Sequence, residues 1–103
     1  MIKVLIEKND SIISSLEVSG HSNYDEKGKD IVCAGVSAIV VGGINSLLNE
    51  DKNAIQYECK EGYSKVFVKD IGNDNIAKIL DVITTQLYTV EESYPKFIKI
   101  LEK

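Results

Sequence analysis

Two side chains of this sequence, His21 and Cys33, are of types that could together perform covalent chemistry. A cysteine attacks carbonyl carbons as its thiolate, and a nearby imidazole can take the thiol proton and later return it to a leaving amine. His21 is the only histidine of the chain, so no other imidazole is available for this task. The pair predicts acyl transfer of the kind that hydrolyses peptide bonds.

Cys33 lies at the predicted start of a helix, and this position favours an ionised thiol. Asp30 precedes it as a good N-cap, because a carboxylate accepts hydrogen bonds from the free N–H groups of the first turn. The positive end of the helix dipole also favours a thiolate. We expect the N–H groups around Cys33 and Ala34 to stabilise the oxyanion that forms when a carbonyl group is attacked.

Asp25 and Asp30 are the candidates for a third group that orients His21. As a helix cap, Asp30 would repel a thiolate beside it, whereas in a pair with His21 it would support the base. Both arrangements fit the sequence. By residue type alone, His21 also fits a solvated loop residue and Cys33 a core residue. Cys59 lies on a predicted strand without acid–base partners, which indicates a structural role.

The pattern of apolar residues predicts five strands and two helices around these side chains. Alternation predicts two hairpins, length and apolar content predict the first helix, a helical period predicts the second, and β-branched and aromatic residues favour a last short strand. The predicted elements cover residues 2–7, 12–19, 31–50, 54–60, 63–69, 76 to before Pro95, and 97–100. The order ββαββαβ predicts one α+β domain over residues 1–103, with two helices on one face of a mostly antiparallel sheet.

Residues 20–30 form a long polar connector that contains Gly20 and Gly28. Connectors of such length in a small domain are usually functional or disordered. The next segment, residues 31–49, carries no charged residue and approaches the length of a membrane span, but its polar residues and acidic flanks favour a buried core helix. Gly35 and Gly42 share a face of this helix and predict close approach of another backbone, from the sheet or from a second subunit.

The charge composition argues against nucleic acid and in favour of a basic protein partner. The formal net charge is −4, and all 12 basic residues are lysines, so no arginine is available for bidentate contacts with phosphates or guanine. An acidic surface attracts basic protein tails and speeds their encounter. Two cysteines do not make a secreted disulfide scaffold, and charges interrupt the apolar residues at the N-terminus. We therefore expect a cytoplasmic protein.

The segment that contains the histidine and Cys33 resembles the signature of the ribosomal-processing cysteine protease family, Prp. It reads Gly-His, two residues, Tyr-Asp, then Gly-x-Asp-Ile-Val-Cys-Ala-Gly-Val-Ser-Ala, and the similarity in length and element order extends over the chain. The resemblance implies that His21 and Cys33 are the catalytic pair, supported by Asp30. It also implies that Ser37 lies near the substrate groove and that the loop around Gly28 acts as a lid.

The resemblance also implies a substrate and a partner. Members of this family remove an N-terminal extension from a large-subunit ribosomal protein, cutting after a hydrophobic, Phe-rich motif, in support of ribosome assembly. They are homodimers and use no metal or other cofactor. Tyr24 is the aromatic residue of the loop. It would either contact apolar side chains of the substrate or anchor the loop.

Three other functions compete with the protease. The first is a noncatalytic ribosome-associated binding module, in which Cys33 is buried and His21 only bonds the loop. The second is a metal site, but His21, Cys33 and an aspartate give at most three ligands where structural zinc takes four. The third is thiol redox chemistry, which lacks a second cysteine at the C-x-x-C spacing.

Overall fold

The elements follow the order ββαββαβ in the computed structural model, which describes residues 1–103. They are β1 (Ile2–Asn9), β2 (Ile12–Ser19), α1 (Ile31–Asp51), β3 (Ile55–Lys60), β4 (Tyr63–Val68), α2 (Asp74–Ser93) and β5 (Ile98–Glu102). The predicted fold class is confirmed, because two helices lie on one face of a five-stranded, mostly antiparallel sheet.

The strand order β3-β4-β2-β1-β5 brings the loop after β2 beside the second hairpin. All neighbouring strands are antiparallel except β1 and β5, which are parallel. The register of β2 with β4 places Ser19 opposite Tyr63. One residue further, the N–H of Gly20 donates to the carbonyl of Gly62 at 2.9 Å. The loop of residues 20–30 therefore starts against the β3–β4 turn.

The face of the sheet that is covered by the helices carries the core. Alternate residues of the strands point to it, among them Val66 and Val68 of β4, whereas Phe67 between them is exposed. A cluster of 21 buried apolar residues joins the strands to both helices. Removal of this apolar surface from water is the main force that fixes the elements around the loop.

α1 buries one of its faces, so the expectation of a buried core helix is only partly met. Val32, Val36 and Val40 face the core, whereas Ile31 and Val41 are 55% and 45% exposed. By length and composition α1 could cross a membrane, and 33% of its most apolar stretch is buried within the fold. Since its first 19 residues carry no charge, a neutral face of the helix is directed outward.

Within this chain the close approach occurs at Gly43 and not at Gly35 or Gly42, where approach of a second subunit stays a prediction. A Cβ on Gly43 would lie 2.6 Å from Cδ1 of Ile83, so a side chain there would collide with α2. A Cβ on Gly35 or Gly42 would have no atom within 4 Å. No other part of this chain covers these two glycines.

The C-terminal elements agree with their predictions. α2 is capped by Asn73 and ends at Ser93, before Pro95, which cannot continue the hydrogen-bond ladder of a helix. The tail is a strand, as favoured by its sequence, although β5 begins one residue later than predicted and continues to Glu102. It pairs with β1 at the edge of the sheet opposite to β3.

Candidate active site

A groove of about 750 Å³ contains both residues of the predicted catalytic pair. Its walls are the N-terminal half of α1, the loop of residues 20–30 and the β3–β4 hairpin. The predicted site residues that line it are His21, Asp25, Gly28, Asp30, Cys33, Ala34 and Ser37. The fold therefore gathers every residue of the predicted site into one groove, with the exception of Tyr24.

Cys33 lies in the first turn of α1, half-buried at the floor of this groove. Asp30 is the N-cap, as predicted, and its Oδ1 accepts hydrogen bonds from the N–H groups of Val32 and Cys33, each at 3.0 Å. Ser22 contacts the sulfur twice, through its N–H at 3.4 Å and its Oγ at 3.2 Å. A thiol that opens into a groove at the positive end of a helix has the placement that a nucleophile requires.

The carboxylate of Asp30 holds the loop as well as the helix. Its second oxygen, Oδ2, accepts the hydroxyl of Ser22 at 2.5 Å and the N–H groups of Tyr24 and Asp25 at 2.9 and 3.3 Å. Burial alone would raise the pKa of Asp30, but hydrogen bonds from the Ser22 hydroxyl and from three backbone N–H groups lower this pKa to about 2. Asp30 is therefore ionised at neutral pH and joins the loop to the helix start.

The contacts predicted to orient His21 are absent from this structure. Asp30 serves as the helix cap and loop clamp, so of the two arrangements that the sequence left open, the cap is the one formed. Asp25 accepts only the N–H of Glu26, at 2.7 Å. The physical reason is that five donors converge on Asp30 and leave it no free position toward the imidazole.

His21 lies on the hairpin side of the groove and makes no side-chain hydrogen bond, to Cys33 or to any other residue. Its imidazole packs against Gly62, where a Cβ would lie 2.9 Å from Nε2. Gly62 also has a φ of +75°, so both space and backbone conformation require glycine there. An ion pair with Lys27 lowers the pKa of Glu61, and the charge of His21 contributes less. The β3–β4 hairpin thus contacts the imidazole through Gly62 and places the carboxylate of Glu61 near it.

The two N–H groups that we expected to stabilise an oxyanion are already engaged. The N–H of Cys33 donates to Oδ1 of Asp30, and the N–H of Ala34 donates to the Asp30 backbone carbonyl, both at 3.0 Å. Because each donor is used within the helix and its cap, neither is free to bind a substrate oxygen in this structure. The N–H of Ser22 is different, since it approaches the sulfur from the loop.

The loop around Gly28 forms one side of the groove. Gly28 has a φ of +89°, and a Cβ on it would have no atom within 4 Å, so glycine is needed there for backbone conformation and not for space. Lys27 crosses to Glu61 of the hairpin in an exposed ion pair of 3.0 Å. Ser37 lies one turn after Cys33 and is exposed to the groove. This ion pair is a weak surface contact between the tip of the loop and the hairpin.

Tyr24 is not among the residues that line the groove, and its contacts fit the role of a loop anchor, whereas a contact with substrate stays a prediction. Its ring makes edge-to-face contacts with Tyr94 and Phe97, with ring centroids 5.6 and 5.1 Å apart. Aromatic pairs in this geometry are mutually attractive because the positive edge of one ring meets the negative face of the other. The contacts tie the loop to the end of α2 and the start of β5.

Two residues near the site were not assigned to it from the sequence. Ser22 stands in a polar loop but is only 3% exposed, because Asp30 and Cys33 enclose its hydroxyl. No periodic pattern reveals such a contact. Cys59, predicted to be structural, is exposed, lines the groove and accepts a hydrogen bond from Ser64 Oγ at 3.5 Å. β3 is an edge strand, which leaves its side chains less covered than those of inner strands.

Comparisons with known proteins agree in sequence and in fold. The family described as cysteine protease Prp matches residues 1–99. The ribosomal processing cysteine protease Prp of Staphylococcus aureus is 34% identical over 103 residues, with 97% of each chain covered. The protein of the same name from Mycoplasma genitalium is 38% identical over 104 residues, which cover 100% of this chain and 97% of the relative.

A solved structure matches the whole fold. It is the crystal structure of an essential ribosomal processing protease Prp from S. aureus with a covalently linked product peptide, similar to this chain with a TM-score of 0.95 and 31% identity over 100% of both chains. The match decides between the peptide hydrolase and the noncatalytic binding module that the sequence left open. The chain belongs to the cysteine protease Prp family and is a cysteine protease.

Proposed function

We propose that this protease removes the N-terminal extension of a large-subunit ribosomal protein, with Cys33 as nucleophile and His21 as general base. The observation that carries the proposal is the shared groove, in which the thiol at the start of α1 and the only imidazole of the chain both face the same space. The names of the relatives support the substrate class, since both are ribosomal processing proteases.

The proposed reaction moves one proton in each direction through His21. The imidazole takes the proton of Cys33, and the thiolate attacks the scissile carbonyl carbon to form a tetrahedral oxyanion. When the C–N bond breaks, the imidazolium gives its proton to the leaving amine and an acyl-enzyme remains. Water, deprotonated by His21, then hydrolyses the thioester, and the proton returns to the departing sulfur of Cys33.

The imidazole must turn toward the sulfur before this reaction starts. His21 is exposed and makes no hydrogen bond that would oppose such a rotation. The N–H of Ser22 donates to the reacting sulfur at 3.4 Å, and we assign it to the oxyanion because, unlike the N–H groups of Cys33 and Ala34, it is not held by the helix or its cap. Ser37 and the loop around Gly28 would contact the peptide and cover it.

The charge of the protein supports a basic substrate in the cytoplasm. A net charge of −4 favours encounter with lysine- and arginine-rich tails of ribosomal proteins, and the absence of arginine disfavours direct contact with nucleic acid. Both cysteines are free, as is usual in a reducing compartment. Assembling ribosomal subunits occupy the same compartment.

The cleavage test uses a large-subunit ribosomal protein that carries its N-terminal extension. We expect the wild-type chain to shorten it by one defined cut, read by intact mass, and the Cys33→Ala variant to leave it uncut. Cys59→Ala is the matched control, because it removes the other groove thiol and should retain cleavage. Processing by Cys33→Ala, or an intact substrate with the wild type, contradicts the proposal.

The neutral outward face of α1 supports a homodimer rather than a membrane contact. Gly35 and Gly42 leave open space on this face, which would let a second helix approach closely. The exposed residues of the face are neutral and mostly small, for example Ala38. An unpartnered apolar helix face of this kind is typical of a protein interface.

The dimer test compares one added charge on each helix. Ala38→Glu places a carboxylate on the neutral face of α1, and we expect it to convert a dimer to a monomer in sedimentation velocity. Gln86→Glu adds the same charge at an exposed position of α2 and should leave the dimer intact. A wild-type chain that sediments as a monomer, or equal behaviour of the two variants, contradicts this interface.

A further inference from the structure

The hydroxyl of Ser22 lies between the proposed nucleophile and a charged carboxylate. Its Oγ is 2.5 Å from Oδ2 of Asp30 and 3.2 Å from Sγ of Cys33, and the residue is only 3% exposed. Such a buried hydroxyl has no bulk water with which to replace either contact. Its single proton must therefore be assigned to one of its two neighbours.

The chemistry of the two neighbours assigns this proton to Asp30. The carboxylate of Asp30 is ionised at neutral pH and can only accept hydrogen bonds, whereas a thiol can donate one. Hydrogen bonds to a charged acceptor are shorter and stronger than neutral ones, in agreement with the short contact to Asp30. The oxygen of Ser22 then faces Cys33 with a lone pair. A hydrogen bond between the two atoms therefore requires a protonated sulfur, whose S–H donates to Ser22 Oγ.

We propose that Ser22 is a positioning residue that holds Cys33 in its protonated form until His21 removes the proton. The proposal rests on the proposed roles of Cys33 and His21. In the resting site the S–H of Cys33 donates to Ser22 Oγ, Ser22 O–H donates to Asp30, and the Ser22 N–H donates to the sulfur. Every polar hydrogen in this chain of contacts has an acceptor.

Removal of the thiol proton disturbs this arrangement. The proton passes from sulfur to the imidazole of His21, and the thiolate is left facing the lone pair of Ser22. The hydroxyl can turn its own proton to the sulfur only by leaving the carboxylate of Asp30. The thiolate state therefore keeps one hydrogen bond fewer than the thiol state, so Ser22 opposes ionisation of the nucleophile.

Other titratable and charged groups line the groove, so the test must leave them unchanged. The loop contributes an imidazole and charged side chains of both signs, and the hairpin contributes a second thiol, a phenol and two charges. These groups are His21, Asp25, Lys27, Asp30, Cys59, Lys60, Glu61 and Tyr63. Replacement of one uncharged hydroxyl leaves the charge of all of them unchanged.

The test is the pH dependence of iodoacetamide alkylation, followed at each cysteine by peptide mass. In Ser22→Ala we expect the pH of half-maximal alkylation of Cys33 to fall by about half a unit to one unit, the effect of one lost hydrogen bond. Ser22→Thr, which retains the hydroxyl, should restore the wild-type profile. Ser64→Ala removes the hydroxyl beside Cys59 and is the matched control, with no effect on Cys33.

A midpoint that rises in Ser22→Ala, or stays unchanged, overturns the proposal, because the hydroxyl would then favour the thiolate or be neutral. If Ser22→Ala does not fold, infrared spectra of the Cys59→Ala protein replace it. A hydrogen-bonded S–H stretch, absent from the Cys33→Ala Cys59→Ala protein, supports the proposal, and a stretch at the frequency of a free thiol overturns it. If Cys33→Ala or His21→Ala still cleaves the substrate at the wild-type rate, the proposed catalytic pair itself fails, which is a distinct result.

Discussion

Cys33 and Cys59 line the same groove, and each lies beside a serine hydroxyl, yet only Cys33 has the surroundings of a nucleophile. The sulfur of Cys33 is 3.2 Å from Ser22 Oγ, and that of Cys59 is 3.5 Å from Ser64 Oγ. Access to the groove does not favour Cys33 either, because Cys59 is the more exposed of the two. Neither a nearby hydroxyl nor exposure separates the two thiols.

The two serine–cysteine pairs differ in the groups that surround them. Ser22 is buried and bonded to the charged Asp30, which also caps the helix that carries Cys33. Ser64 and Cys59 are only opposite residues in the β3–β4 pairing, at the edge of the sheet. A helix start and a loop clamp hold one sulfur, whereas the other has only the hydroxyl of its strand partner beside it. The comparison indicates that reactivity depends on the clamp and on the imidazole.

The largest effect is expected from removal of the imidazole. His21→Ala should lower kcat/KM for peptide cleavage by about 10²- to 10⁴-fold, the usual contribution of a general base. It should also slow the alkylation of Cys33 at neutral pH to about the rate of Cys59, which should itself not change. Activity close to that of the wild type would mean that another group acts as the base.

The next effect is expected from Asp30→Asn, which separates the two tasks of this residue. An asparagine oxygen can still cap the helix, but its NH₂ group would meet the three donors that Oδ2 now accepts. We expect a fall in thermal midpoint at pH 7 and at least a tenfold loss in cleavage, since the loop loses its clamp. Asp25→Asn is the matched control, because it changes the same group type at an exposed loop position.

The effect of Asp30→Asn should depend on pH in a defined direction. The folded state lowers the pKa of Asp30 from 3.8 to about 2, so the ionised carboxylate stabilises the fold above pH 3.8. This contribution is lost as the pH falls from about 4 to about 2. The difference in thermal midpoint between wild type and variant should shrink across that window, and a constant difference would assign the effect to packing.

A smaller effect is expected at the aromatic anchor. Tyr24→Ala removes two edge-to-face contacts, and the fold should lose about 0.5–1.5 kcal/mol per pair beyond the lost apolar burial. That loss corresponds to a fall of several degrees in thermal midpoint. Tyr24→Phe keeps the ring and should behave like the wild type. A rise in KM for Tyr24→Ala without loss of stability would instead show that Tyr24 contacts the substrate.

The sequence predicted the parts of the site that depend on local chemistry. The helix start behind Asp30 follows from capping preference, and the position of Cys33 in the first turn follows from it. The two hairpins follow from an apolar period of two residues, α2 from a period of three to four, and α1 from its length and apolar content. The family signature then connected the loop to the helix, because it contains both of them.

The contacts across the groove could not be predicted in the same way. Pairing of β2 with β4 sets Gly62 against His21, and such register depends on the whole sheet. The burial of Ser22 and the outward turn of Tyr24 depend on a loop without any period. The sequence also could not reveal that five donors from the loop and the helix occupy the carboxylate of Asp30, so a contact between Asp30 and the imidazole remained open.

The smallest effect is expected at the ion pair that joins the loop of residues 20–30 to the β3–β4 hairpin. Lys27 and Glu61 form the one ion pair between loop and hairpin, but their side chains are 89% and 71% exposed, so water and salt screen it. Lys27→Ala should change the thermal midpoint little and cleavage by about twofold at most, the range expected for a surface pair. Lys29→Ala, which loses only a pair within the loop at 3.7 Å, is the control. A larger effect of Lys27→Ala that persists in high salt would show that this residue binds the substrate rather than latching the loop.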